Sequence, residues 1–142
     1  MDKAILVDGV VVPIIDLTVW GRWMENADRH VAEDWICENR VSTVFLGLNH
    51  SYDEGELWFE TMIFGPRHKV KSLWIKEYIS CGDELYIARY ASLEKAKVGH
   101  AIALEWLRER MDLSKKYQLQ LTEGNRNEIV VSGSLPTGSA CN

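Results

Sequence analysis

The sequence predicts a single α+β domain in which an antiparallel sheet of about five strands packs against two main helices. Three observations carry that prediction. Runs of β-branched and aromatic residues of strand length recur between turn-forming dipeptides. Two longer stretches space their apolar residues at three- and four-residue steps, the period of an amphipathic helix. The chain of 142 residues, 46% hydrophobic and 26% charged, is long enough to bury one core without metal or disulfide staples.

The elements follow in order. Residues 4–7 and 10–12 are apolar runs flanking Asp8-Gly9, a dipeptide that tolerates positive φ at both turn positions, and they read as a tight hairpin. Pro13 restricts further pairing. Asp16 is placed to cap a helix whose stripe is Leu17, Trp20, Trp23, Met24, Ala27 and Val31, with Arg22, Glu25, Asn26 and Arg29 on the other face. Residues 34–37 and 40–48 form a second hairpin about Glu38-Asn39. After a polar loop at 49–56, residues 57–64 supply the third strand of a meander, which Gly65-Pro66 ends. Residues 70–79 fit a short helix, 80–84 a turn and 85–90 another strand. Ser92 caps a long helix reaching Met111, with Leu93, Ala96, His100, Ala103, Leu104, Leu107 and Met111 on its buried stripe. Composition changes at Ser114, dividing the chain into a core of residues 1–113 and an extension of 114–142, in which 117–121 and 128–131 pair as a hairpin before a polar tail.

Composition excludes several classes. Sixteen Lys and Arg against 21 Asp and Glu give a net charge of −5, and the positive residues are scattered, which argues against nucleic acid as the main partner. No apolar run approaches the ~20 residues of a membrane-spanning helix, and no secretory signal opens the chain, so a soluble protein is expected. Cys37, Cys81 and Cys141 show no CxxC and no zinc spacing, and an odd count of thiols fits a reducing cytoplasm. No metal site and no cofactor is expected, because phosphate-cradling glycine loops, GxSxG and HExxH motifs are all missing.

Two residues could carry catalysis. His100 lies on the central apolar line of its helix and follows Gly99, which would let the helix approach a strand closely; the imidazole is either a ligand-facing base or a core-edge histidine with its hydrogen bonds satisfied. Glu60 shares a strand face with Trp58, Met62 and Phe64, and is either a site carboxylate or the partner of Arg89. A triad of His50, Glu60 and His100 fails on geometry. With Leu48 opposite Leu57, Glu60 faces Phe45, and His50 lies about 17 Å further along at 3.3 Å per residue. Six tryptophans exceed what one small core hides comfortably, which points to an aromatic pocket or a Trp-bearing interface and, through it, self-association. The candidate ligand- or partner-binding residues are Trp20, Trp23, His50, Trp74, Arg89 and Tyr90, with Arg22, Arg29 and Arg67 as further cations for an anionic ligand.

The segments Ser42-Thr-Val-Phe-Leu-Gly-Leu-Asn-His50, Phe59-Glu-Thr-Met-Ile-Phe-Gly65, Arg89-Tyr90 and Gly99-His100, preceded by Trp20-Gly-Arg-Trp23 through Asp28-Arg29, resemble a family of small phage and prophage proteins. The resemblance spans roughly residues 10 to 110; residues 67–84 look longer than the family's connection, and the stretch after 114 looks private to this chain. It implies a phage-encoded protein acting in the cytoplasm of a bacterial host, and it implies no chemistry. The reading that follows is a non-enzymatic accessory protein that binds and neutralises a host protein or a small nucleotide-like immune signal, an anti-defence inhibitor or sponge. The alternatives are a small hydrolase or nucleotide-processing enzyme using His100 and Glu60, and a virion or assembly component. The residues favour a binder over an enzyme.

Overall fold

The computed structural model describes residues 2–51, 55–71, 78–79 and 82–122. Strands β1 (Ala4–Val7) and β2 (Val10–Pro13) form the first hairpin, with Asp8 and Gly9 at φ 49° and 80° in its turn. Helix α1 (Leu17–Asn26) follows, capped by Asp16, whose carboxylate accepts from the Thr18 and Val19 amides at 2.8 and 3.1 Å.

The main sheet is antiparallel with order β3-β4-β5-β8, built from β3 (His30–Ile36), β4 (Asn39–Phe45), β5 (Phe59–Phe64) and β8 (Glu84–Tyr90). The connection from β5 to β8 carries a two-residue pair, β6 (Lys69–Val70) with β7 (Tyr78–Ile79). Helix α2 (Leu93–Thr122) lies across one face of the sheet and touches all four strands. The architecture is thus α+β, with the N-terminal hairpin hooked beside the sheet: Lys3 bridges Leu48, and the Ala4 amide donates to the Gly47 carbonyl at 3.1 Å. No helix among the described residues is long and apolar enough to cross a membrane.

Two buried clusters join α2 to the sheet. Ala96 packs with Phe45, Trp58, Phe59 and Ala4; Ala103, Leu107 and Met111 pack with Val41 and Ile63. Burying each of the larger aliphatic side chains contributes about 1.5–3 kcal/mol. Gly99 sits between these clusters, and a Cβ there would collide with the phenol of Tyr90. The glycine therefore sets how closely helix and sheet can approach.

Several expectations are corrected. Helix α1 stops at Asn26, and Val31 belongs to β3, because Asp28 accepts the His30 amide at 3.0 Å and diverts a donor that helix continuation would need. Arg29 is accordingly off the helix and reaches the Phe45 carbonyl at 3.4 Å. The second hairpin begins at His30 and turns at Cys37 and Glu38, with Cys37 at φ 56°. Of the stretch expected as a short helix, Val70, Tyr78 and Ile79 are strand, while residues 72–77 lie outside those described. Helix α2 runs unbroken past residue 114 to Thr122, so residues 117–121 are helical and not the first arm of a hairpin; 128–131 lie outside the described residues. The buried stripe ends at Met111 because the sheet ends there, while the following Leu, Lys and Gln residues keep a high helix propensity. Cys37 is disulfide-bonded.

Candidate functional site

The side chains singled out in the sequence divide between the two faces of the main sheet. On the face under α2, four elements each contribute one polar group. Thr43 of β4 and Thr61 of β5 are register partners, both fully buried, with hydroxyl oxygens 2.6 Å apart. His100 of α2 places Nδ1 2.7 Å from the Thr43 oxygen and Nε2 2.9 Å from Oδ2 of Asp34 on β3.

The direction of this chain follows from its ends. A carboxylate only accepts, so His100 Nε2–H donates to Asp34. In the neutral ring Nδ1 then accepts from the Thr43 hydroxyl, and the Thr43 oxygen accepts from the Thr61 hydroxyl. Every polar atom of the imidazole is satisfied, which is what burial of a polar side chain requires. The order Asp34–His100–Thr43 copies the connectivity of a carboxylate–imidazole–hydroxyl relay. Its hydroxyl, however, is fully buried between sheet and helix, and a nucleophile has to be reachable by substrate. Only the Asp34 end is open, with a side chain 56% exposed against 7% for His100. The cluster is a polar clamp that holds α2 in register on three strands.

Glu60 is on the other face. It follows Phe59 and precedes Thr61, both of which point under α2, so strand alternation turns its carboxylate outward. There it pairs with Arg89, its register partner, the Arg89 Nε–H donating to Oε2 at 2.8 Å. Glu60 faces Val44, one residue away from the register expected from the sequence, because Phe45 pairs with Phe59. The sheet thus stands between His100 and Glu60, and the two cannot act on one substrate.

The outward face is ordered in rows. Trp35, Arg40 and Phe64 align across β3, β4 and β5; Glu33, Ser42, Met62 and Ile87 form the next row; His30, Val44, Glu60 and Arg89 the third. The Arg40 guanidinium lies 4.7 Å from the Phe64 ring centroid and 3.5 Å from Glu33, and Arg67 lies 5.8 Å from the Trp35 ring. No described helix covers these rows. Trp35 is 49% exposed and Ile87 45% exposed in consequence.

The remaining candidates are structural in placement. Trp20 donates its indole N–H to the Gly47 carbonyl at 2.9 Å, and Trp23 meets Phe45 edge-on at 5.6 Å, so both partly buried rings join α1 to the sheet. Tyr90 is packed against Gly99. His50 sits in the loop after β4, its amide donating to the Leu57 carbonyl at 3.4 Å, and it is brought to neither Glu60 nor His100. Trp74 lies outside the described residues. Arg89 stands on the open face, held by Glu60, and Arg67 lies there against Trp35. Sequence reasoning missed Asp34, which looked like an ordinary strand start, and Trp35, one of six indoles with nothing local to set it apart. Among the described residues no group of His, Cys, Asp and Glu side chains gathers at metal-binding spacing.

Thr43, Thr61 and His100 form the clamp, Glu60 meets Arg89, and Tyr90 meets Gly99. No protein family, no curated protein and no solved structure matches the chain.

Proposed function

We infer that this is a phage-encoded accessory protein that binds a host protein with fixed stoichiometry and neutralises it, most economically as an inhibitor of host defence. The observation that carries the binding part is the sheet face that no described helix covers, bearing a half-exposed Trp35 beside two guanidiniums, Arg40 and Arg67. Trp and Arg dominate the energetics of protein interfaces, and a broad sheet face suits a protein better than a small ligand, which needs a concave site. The phage origin and the anti-defence role rest on the motif resemblance alone. We place its action in the host cytoplasm, where the Cys37 bond would be open to reduction.

Native mass spectrometry of the wild-type protein and of Trp35→Ala and Ile87→Glu, each mixed with extract of a bacterial host, tests this reading. A one-to-one complex with a single host protein, lost in both variants while their melting temperatures hold, is the expected result. Retention of that complex by both variants would overturn the assignment of the face.

A further inference from the structure

Away from both faces of the main sheet, a cleft of about 480 Å³ opens between the N-terminal hairpin and the segment leading into β5. That volume lies within the range of small-molecule sites. One wall is apolar, made by Pro13, Ile14 and Ile15 where the chain leaves β2. Ile15 is 100% exposed, the extreme value among the exposed large hydrophobic side chains, and it stands at this cleft.

Three charged side chains line the rest: Asp2, Lys3 and Glu56. Among the described residues none of the three forms an ion pair, in contrast to the paired charges of the sheet face. Glu56 is fixed in place, because its Oε2 accepts the indole N–H of Trp58 at 3.0 Å and Trp58 is itself buried at the floor of the cleft. One oxygen of that carboxylate is thereby used, and the other has no partner among the described residues. Charges of both signs beside an aliphatic wall, with Glu56 held in place, suit a ligand carrying both countercharges on an apolar body. An amine alone would leave Lys3 unanswered, and a carboxylate alone would leave Asp2 and Glu56 facing an anion.

We propose that this cleft binds a free short peptide with aliphatic side chains, its ammonium between Asp2 and Glu56, its terminal carboxylate at Lys3, and its side chains on Pro13, Ile14 and Ile15. The site is independent of the sheet face assigned to the host protein. The probe is the dipeptide leucyl-leucine, titrated into ¹⁵N-labelled protein while the Trp58 indole N–H resonance is followed, since that group bonds directly to Glu56. A saturable shift is expected with the free dipeptide, with affinity falling by about tenfold or more for the same dipeptide acetylated and amidated at its ends. Lys3→Gln should weaken the free dipeptide by a similar factor without changing the melting temperature. Glu56→Gln should do the same, read from resonances of Ile14 and Ile15. Absence of a saturable shift, or equal binding of the blocked dipeptide, would overturn the proposal; both arms use the wild-type protein and do not depend on a variant that folds.

Discussion

The two faces of one sheet use similar residue types to opposite ends. Under α2, Thr43, Thr61 and His100 bond to one another and His100 closes the chain on Asp34, while Tyr90 fills the space that Gly99 leaves. On the outward face the charges are also paired, Glu60 with Arg89 and Glu33 with Arg40, yet large apolar groups between them remain half exposed. The difference teaches that polar residues in apolar surroundings mark a candidate site only where large apolar groups beside them are left exposed. The inner face is closed over by α2, although the buried Asn39 Oδ1 and Tyr90 hydroxyl lack a hydrogen-bond partner among the described residues, whereas no described helix covers the outer face.

If that contrast is right, substitutions under the helix should change stability and those outside should change binding. The largest effect is expected from Gly99→Ala, because the added methyl group meets the Tyr90 ring and the two packed layers must part. Overpacking of this kind costs about 1–3 kcal/mol. For a domain of this size that is a fall in melting temperature of about 3–10 °C, readable by circular dichroism. A neutral outcome would mean that helix and sheet are not in close register at this point.

His100→Leu comes next. It fills the same space but leaves the Thr43 hydroxyl without its acceptor, and a buried polar group stripped of its partner costs about 1–3 kcal/mol. The companion triple change, with both threonines replaced by valine, should recover part of that loss, since an apolar cluster of matching shape has no unmet hydrogen bond. Failure of that recovery would show that the clamp contributes more than mutual satisfaction. On the outer face, Glu60→Gln removes the charge of a carboxylate that is only 12% exposed and bonded to Arg89, and chemical denaturation should register a loss of about 1 kcal/mol.

How far the sequence revealed this arrangement varied with the range of the interaction. The hairpin at Asp8-Gly9, the Asp16 cap and the Ser92 start of α2 depend on neighbours in the chain, and they were legible. So was the close approach at Gly99, because a glycine beside a histidine on an apolar stripe has few other uses. The end of α1 was misread because the apolar spacing continues to Val31 and only the Asp28 side chain competes with it. The end of α2 was misread for the converse reason: a buried stripe reports where a helix stops packing, and Met111 is that place, eleven residues before the helix itself ends. Asp34 was invisible as a site residue because its partner is 66 positions away. A one-residue slip in the predicted β4–β5 pairing gave Glu60 the wrong partner, as the two-residue period of a strand makes any such slip consequential.

The faces should also part in their response to pH, with effects smaller than those above. Tyr86, on the helix side against Trp106, has its phenol pushed above the ordinary value, chiefly by burial and secondarily by the neighbouring Tyr90 phenol. A raised value means that the folded state keeps its proton while the unfolded state loses it. Stability from this group is therefore full below the ordinary tyrosine range, near 10, and declines as pH climbs through the folded value. Tyr86→Phe should flatten that alkaline decline in denaturation midpoints.

Asp28, fully exposed before β3, works in the other direction. The His30 amide and then the His30 ring, both bonded to Oδ1, hold its carboxyl below the usual range. Its contribution is present above the unfolded value and disappears as pH falls through the folded one, so Asp28→Asn should remove a shallow acid-side slope by lowering stability slightly at neutral pH and leaving it unchanged at low pH. Because the pair is open to solvent, added salt should shrink the part of the slope that comes from the ring but not the part from the amide bond. If Asp28→Asn instead shortened β3, seen as lost amide protection at His30 and Val31, the carboxylate would be acting mainly to stop α1, and its titration would be incidental to that role.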